Sequence, residues 1–283
     1  MINVARRSLF KGSLAWLAAA ATRSGASGNA TDAARAALTD PANVHQVYRR
    51  MRFAEHEQVF FWWLRGVRSG LIDNQLTPLF RMEVGSLHRC HELGEGRYSV
   101  TSLGLVYYTD LHSGDLLQRW HNPLTDAMVP IQYAAPKPTT VVYSGAGIES
   151  EPAFAGAGAT RTRELGPVDV VGADVWLNDS SHLNAPPQSG ANTPLHVNDL
   201  YTLHSPLQEL LNLRQRFVPC FAVFNDFNTW SPRLQMGDRA GTSLSRCNGR
   251  KEARLDALPA SYLALGQRLH PDIFANPAAA LAR

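Results

Sequence analysis

Leu79-Phe80-Arg81-Met82-Glu83-Val84-Gly85-Ser86-Leu87-His88-Arg89-Cys90-His91 alternates in character residue by residue. Phe80, Met82, Val84, Ser86, His88 and Cys90 share one parity, and Arg81, Glu83, Arg89 and His91 share the other. A period of two is that of a strand with one covered face, so the first set is expected to look inward. Turn signals follow. Gly94-Glu95-Gly96 reverses the chain, residues 97–110 make a return strand, His112-Ser113-Gly114 reverses it again, and residues 115–122 read as a third strand of an antiparallel meander. Upstream, Val59-Phe60-Phe61-Trp62-Trp63-Leu64 is a continuous apolar run of strand length, as for a strand covered on both faces. Downstream, strand character returns over 168–178, 195–204, 217–230 and 242–247, with irregular stretches at 136–138, 145–158 and 186–190. Helices frame the strands. Residues 31–53 read as helix, capped by Thr31 or Asp32 and broken near Pro41, and residues 255–269 read as an amphipathic helix stopped by Pro271. No βαβ alternation, GxGxxG or GxxxxGK[ST] run is present. The expected fold is mainly β and antiparallel: a lipocalin- or calycin-like barrel or strongly curved sheet with flanking N- and C-terminal helices.

The start of the chain reads as an address. Arg6-Arg7-Ser8-Leu9-Phe10-Lys11 followed by the apolar, alanine-rich Leu14–Ala21 is the pattern of a twin-arginine signal peptide over residues 1–30, with cleavage expected between positions 27 and 31. The apolar run is too short to cross a bilayer, so no stable membrane anchor is expected. These features predict a periplasmic protein handled by the twin-arginine export machinery, with residues 31–283 as a single β-barrel-like domain. The 45% hydrophobic content supports a substantial core, and the net charge of +3, much of it in the leader, leaves no basic stripe for nucleic acid. Cys90, Cys220 and Cys247 form no CxxC pair and allow at most one disulfide within a monomer. The oligomeric state stays open, a homo-oligomer being compatible with the sequence.

The chain resembles the bacterial and fungal family catalogued as domain of unknown function 1838. The resemblance rests on Trp62-Trp63 with Gly66, Tyr107-Tyr108-Thr109-Asp110 with Gly114, and Trp120-His121-Asn122-Pro123-Leu124-Thr125. It continues in Trp230-Ser231-Pro232 with Met236-Gly237-Asp238-Arg239, and in Leu258-Pro259 through to Asn276-Pro277. Arg233 and Leu234 depart from the family's tryptophan and methionine after that proline. The resemblance implies a β-barrel-like fold and brings no catalytic residues with it.

A barrel interior with a few convergent polar groups suits a small molecule. His88 shares the inward parity and is a candidate general acid or base, or a core imidazole held by a backbone partner. Trp120, His121 and Asn122 alternate along one strand, so either Trp120 and Asn122 line a pocket or His121 does, with Asn122 equally suited to capping backbone groups. Tyr107 and Tyr108 straddle the sheet, and Tyr108 shares parity with Val100 and Val106, which makes it the inward phenol. Asp226, Asn228 and Trp230 offer an acid, an amide and an indole on one face, a pattern repeated by Asp174, Trp176 and Asn178. The histidines form no HExxH or compact ligand set, and no GxSxG appears, so neither a metal nor a cofactor is expected. The expected function is a cofactor-independent lyase or isomerase acting by acid–base catalysis on a hydrophobic, aromatic small molecule. His88, Tyr108, His121 and Asp226 would be the proton-handling groups, and Trp62, Trp120, Asn122, Asp174, Trp176, Asn228 and Trp230 the binding groups. The alternative is a periplasmic small-molecule carrier without chemistry.

Overall fold

The computed structural model describes residues 27–134, 137–150, 158–187 and 194–282. The twin-arginine motif, residues 151–157 and residues 188–190 lie outside the described residues; of the stretch expected to be irregular at 145–158, Gly147–Ser150 instead forms a strand. Among the described residues twelve strands form: β1 Phe60–Ile72, β2 Gln75–Gly94, β3 Arg97–Thr109, β4 Arg119–Asn122, β5 Ala127–Pro130, β6 Thr139–Ser144, β7 Gly147–Ser150, β8 Thr160–Val171, β9 Asp174–Ala185, β10 Leu195–Pro206, β11 Phe221–Asn228 and β12 Thr242–Glu252. Ten of them make one antiparallel sheet in the order β7-β6-β3-β2-β1-β12-β11-β10-β9-β8, curled into a half-barrel. Helices α1 Ser27–Thr39 and α2 Val44–Arg52 precede it, with Pro41 starting the short turn between them. Helix α3 Leu207–Leu211 follows β10, and α4 Ala260–Leu269, α5 Pro271–Ala275 and α6 Pro277–Ala280 close the chain.

The meander is real but shifted along the chain. Asp73 and Asn74 both hold positive φ, as a tight two-residue hairpin turn requires, and join β1 to β2. The segment expected as the meander's third strand instead shortens to β4, which pairs only with β5 in a separate hairpin. The single strand expected over 168–178 is the tip of a hairpin, turned at Gly172 (φ 61°) between β8 and β9.

The concave face is that of Phe80, Met82, Val84, Ser86, His88 and Cys90, as their parity requires. Helix α2 lies against one end of it. Tyr48, Met51 and Phe53 join Phe60, Trp62, Val100, Leu177 and Leu203 in one buried cluster. Arg50 anchors the helix by donating to the carbonyls of Leu210, Asn212 and Gln215. Lys251 of β12 donates to the carbonyls of Arg50 (3.0 Å) and Phe53 (2.5 Å), satisfying groups the helix end leaves free. Burial pulls the Lys251 amine down to about 7. The other end is closed by the β4–β5 hairpin and the short turn Pro232–Leu234, where Trp120, Val129, Leu234 and Met236 cover Leu79, Phe80 and Met82. Between β8 and β6, the two flanks of the opening, Arg163 Nη1 donates to the Tyr143 hydroxyl at 3.3 Å.

The convex face of β1–β3 is covered by the C-terminal helices. Phe61, Leu87, Leu103, Leu105 and Tyr107 pack under Leu258, Tyr262, Ile273 and Phe274. Gly85 permits the close approach, since a Cβ there would lie 2.0 Å from the Tyr262 hydroxyl oxygen. The space left beneath these helices is about 10 Å³, room for about one water. Cys90, Cys220 and Cys247 are all free thiols and buried, and burial pushes each thiol up.

Candidate functional site

Strand register assembles one polar row across the middle of the concave face. Arg68 of β1 stands opposite Ser245 of β12, which stands opposite Asp226 of β11. Asp226 in turn faces Asp199 of β10, Asp199 faces Ser181 of β9, and Ser181 faces Arg163 of β8. Directly opposed residues project to the same side of a sheet with Cβ atoms about 5 Å apart, so the two aspartates are side by side.

Their surroundings differ sharply. Asp226 is 3% exposed and fully supplied: Arg68 Nη2 donates to Oδ2 at 2.7 Å, and the Ser245 backbone N–H donates to Oδ1 at 2.6 Å. Arg68 is itself fixed by donating through Nη1 to the Ser243 hydroxyl at 2.8 Å. Asp199 accepts no hydrogen bond among the described residues, and it is only partly open to solvent. Burial, and then the neighbouring Asp226 charge, raise its carboxyl to about 6 against the opposing pull of Arg161, Arg163 and Arg52. A carboxyl that titrates near neutrality exists as acid and base in comparable amounts, as a proton-transfer group needs.

A second buried carboxylate flanks the row. Asp179 is fully buried, 2.9 Å from Arg163 Nε, and accepts from the Tyr48 hydroxyl at 3.1 Å. Burial pushes the Tyr48 phenol well up, so it stays a donor. Arg52, the last residue of α2, lies over the Tyr201 ring with 4.2 Å between guanidinium and centroid.

The residues expected from sequence distribute unevenly around this row. Asp226 and Asn228 face the concavity; Asn228 Oδ1 accepts from the Asn198 N–H at 3.3 Å. Tyr108 is on the concave face as its parity requires, packed edge-on to Phe80 at 4.8 Å. His88 faces inward, 7% exposed, stacked on Phe60 at 5.2 Å, with Nε2 2.7 Å from the Ser86 hydroxyl. Burial, reinforced by the Arg52 and Lys251 charges, lowers its imidazole to about 3. It is a neutral core histidine with little basicity at neutral pH. Trp62 is 1% exposed, its indole N–H spent on the Arg52 carbonyl, so it packs against α2.

Several others sit elsewhere. His121 lies on the outside of the β4–β5 hairpin, 56% exposed, paired with Asp126 at 2.7 Å, because the hairpin turns its odd parity to solvent. Trp120 is buried and donates to the Leu79 carbonyl at 3.1 Å. Asn122 is fully buried and structural: it donates to the Leu234 carbonyl and accepts from the Leu124 N–H, tying the hairpin to the turn at 232–234. Trp230 sits at the rim, its indole N–H on the Arg239 carbonyl. Asp174, Trp176 and Asn178 point to the outer surface, where Asp174 pairs with His204 and Asn178 accepts from Thr202. The inward members of that strand are Val175, Leu177 and Asp179. The signal that could have found the missed residues is the same apolar parity: along β9 it selects Asp179, and along β10, with Val197, Tyr201 and Leu203, it selects Asp199.

Among the described residues, no group of three or more histidine, cysteine or acidic side chains is arranged to hold a metal ion. The model of the family described as protein of unknown function, DUF1838, matches residues 56–280. No curated protein matches the chain. Among solved structures, that of Rv2717c from M. tuberculosis aligns over 74% of this chain and 97% of its own at 13% identity, with a TM-score of 0.27. So low a structural agreement carries no argument about chemistry.

Proposed function

From the premise that the chain belongs to the DUF1838 family, a membership that assigns no chemistry, we propose that the protein is an acid–base enzyme of lyase or isomerase type. Its substrate is a small molecule held against the concave face, and Asp199 is the residue that moves the proton. The supporting observation is the register that sets Asp199 directly against Asp226 while supplying partners to Asp226 alone.

The division of labour follows from that geometry. Asp226, locked by Arg68 and the Ser245 N–H, keeps a fixed negative charge beside Asp199 and so keeps Asp199 basic enough to accept a proton from carbon or oxygen. The protonated Asp199 can return that proton at a second position, which is isomerisation, or to a leaving group, which is elimination. Tyr108 and Asn228 share the concave face with the row and supply a phenol and an amide for orienting polar atoms. The concavity is open rather than sealed: Gly104 of β3, opposite Ser86, is exposed with empty space where a Cβ would stand.

Proton transfer to carbon leaves an isotopic label whatever the substrate is. A small-molecule extract of the host, incubated in D₂O with the protein, is expected to gain deuterium in specific C–H positions with wild type and not with Asp199→Asn. Equal labelling by both proteins, or labelling by neither, refutes the enzyme; retention of an extract molecule without labelling identifies a carrier instead.

Export to the periplasm belongs to the same proposal and is supported by Arg6-Arg7 ahead of the apolar Leu14–Ala21. Replacing both arginines by lysine is expected to hold the full-length chain in the cytoplasm. A processed, periplasmic chain from that variant would contradict it.

A further inference from the structure

Not every cation near the concave face lies within salt-bridge distance of a carboxylate, and Arg52 feels the Asp179 charge only from farther off. Arg49, Arg50, Arg65, Arg68 and Arg163 each lie within salt-bridge distance of a carboxylate. Arg52 has no such carboxylate among the described residues, although its side chain is largely withdrawn from solvent. Its guanidinium is held between rings, 4.2 Å from the Tyr201 centroid and 5.1 Å from the Trp62 centroid, and its Nη1 is buried with no hydrogen-bond partner. Ring contacts and a hydrogen bond to the Tyr201 side chain compensate part of the cost of burying a cation, but they leave the Nη1 N–H unspent.

That N–H belongs to a side chain lying near the proposed proton carrier. Tyr201, under the guanidinium, follows Asp199 by two residues on the same face of β10, a separation of about 7 Å. An unspent guanidinium N–H matches a carboxylate, to which it can donate a charge-assisted hydrogen bond. The cationic side chains of Arg161 and Arg163 on β8 add to the positive field felt at Asp199.

We propose that the substrate is a small organic acid whose carboxylate accepts the unspent Nη1 N–H of Arg52 while its reacting carbon lies over Asp199. This rests on the acid–base role of Asp199. The carboxylate supplies the partner that Arg52 Nη1 lacks, and the about 7 Å along β10 between Asp199 and Tyr201, on which the guanidinium lies, places the reacting carbon only a few bonds from the acid. The Tyr201 ring, itself packed on Phe224 at 4.6 Å, gives the apolar part of such an acid a face to lie against.

Calorimetric titration of the exported, processed protein with phenylacetate and 3-phenylpropionate, and with their uncharged amides, tests the assignment. Wild type is expected to bind the acids about tenfold or more tightly than the amides. Arg52→Gln is expected to abolish that preference and Arg52→Lys, which keeps the charge but not the fork, to reduce it; circular dichroism establishes that each variant is folded, and Arg52→Lys decides should Arg52→Gln not fold. Asp199→Asn is expected to keep the preference for acids while losing deuterium transfer. Acids and amides bound alike, no binding of either, or wild-type affinity in Arg52→Lys overturns the anion site. Loss of acid preference together with Asp199-dependent labelling refutes this inference alone. Intact acid preference together with labelling that ignores Asp199 refutes the acid–base role and leaves the anion site standing.

Discussion

Replacing Asp199 by asparagine is expected to make the protein more stable at pH 8 while removing its activity. The raised carboxyl is the reason. In the unfolded chain an aspartate titrates near 3.8, whereas on the concave face Asp199 titrates at about 6. The folded state therefore holds this proton more tightly. The stabilisation from that preference is complete below the unfolded value and is lost as pH rises through the folded one. At 1.36 kcal/mol per unit, the full difference is about 3 kcal/mol, and the partial exposure of the carboxyl reduces this to about 2 kcal/mol. Asparagine has the same shape and no charge to lose, so it escapes that cost. Urea unfolding of wild type and Asp199→Asn at pH 4.5 and pH 8 isolates the effect, because any constant change from the altered hydrogen bonding cancels between the two pH values. The variant's advantage should grow by about 1 kcal/mol from the lower pH to the higher, the rest having been lost below pH 4.5 as the unfolded carboxyl ionises. An advantage that is flat with pH, or that shrinks as pH rises, would show that Asp199 is an ordinary solvated carboxylate. Greater stability at the expense of turnover is the pattern of a residue kept for chemistry.

His88 gives the opposite dependence. Its folded value of about 3 lies below the unfolded 6.5, so its contribution is present above 6.5 and is lost as pH falls toward 3. Relative to His88→Gln, wild type should lose about 3 kcal/mol between pH 7 and pH 4.5, read from urea midpoints. Met51 is fully buried where α2 meets the sheet, so Met51→Ala should cost about 3 kcal/mol by the same assay. His121→Ala should change stability by no more than about 0.5 kcal/mol and leave deuterium transfer intact, since its partner Asp126 is 95% exposed and both lie outside the concavity.

How far the sequence could be read depended on whether a strand carries its own contrast. Apart from Leu79 and Leu87, residues 79–91 of β2 separate large apolar from charged residues by parity, so its inward face, and with it His88, was legible from that stretch alone. The same parity identified Tyr108 rather than Tyr107. β9 misleads because a tryptophan and two polar residues of one parity look like a site, yet Val175 and Leu177 of the other parity are what the core needs. Asp199 was hidden for a different reason. The parity of its neighbours can turn it inward, but it becomes unusual only when register brings Asp226 alongside, and register between β10 and β11 is a tertiary fact. Arg52 likewise reads as one of several basic residues at a helix end until Tyr201, from far along the chain, passes beneath it. Residues 115–122 separated from the main sheet because Asn122 is bound to the turn at 232–234, a contact with no local signature.

The coupling of the two aspartates is open to direct measurement. Carbon-detected NMR titration of the Asp199 carboxyl should give a midpoint near 6 in wild type. In Asp226→Asn that midpoint should fall, because the variant removes the adjacent negative charge. A wild-type midpoint near 4, or one that Asp226→Asn leaves in place, would mean that the concave row does not prepare a carboxyl for proton transfer.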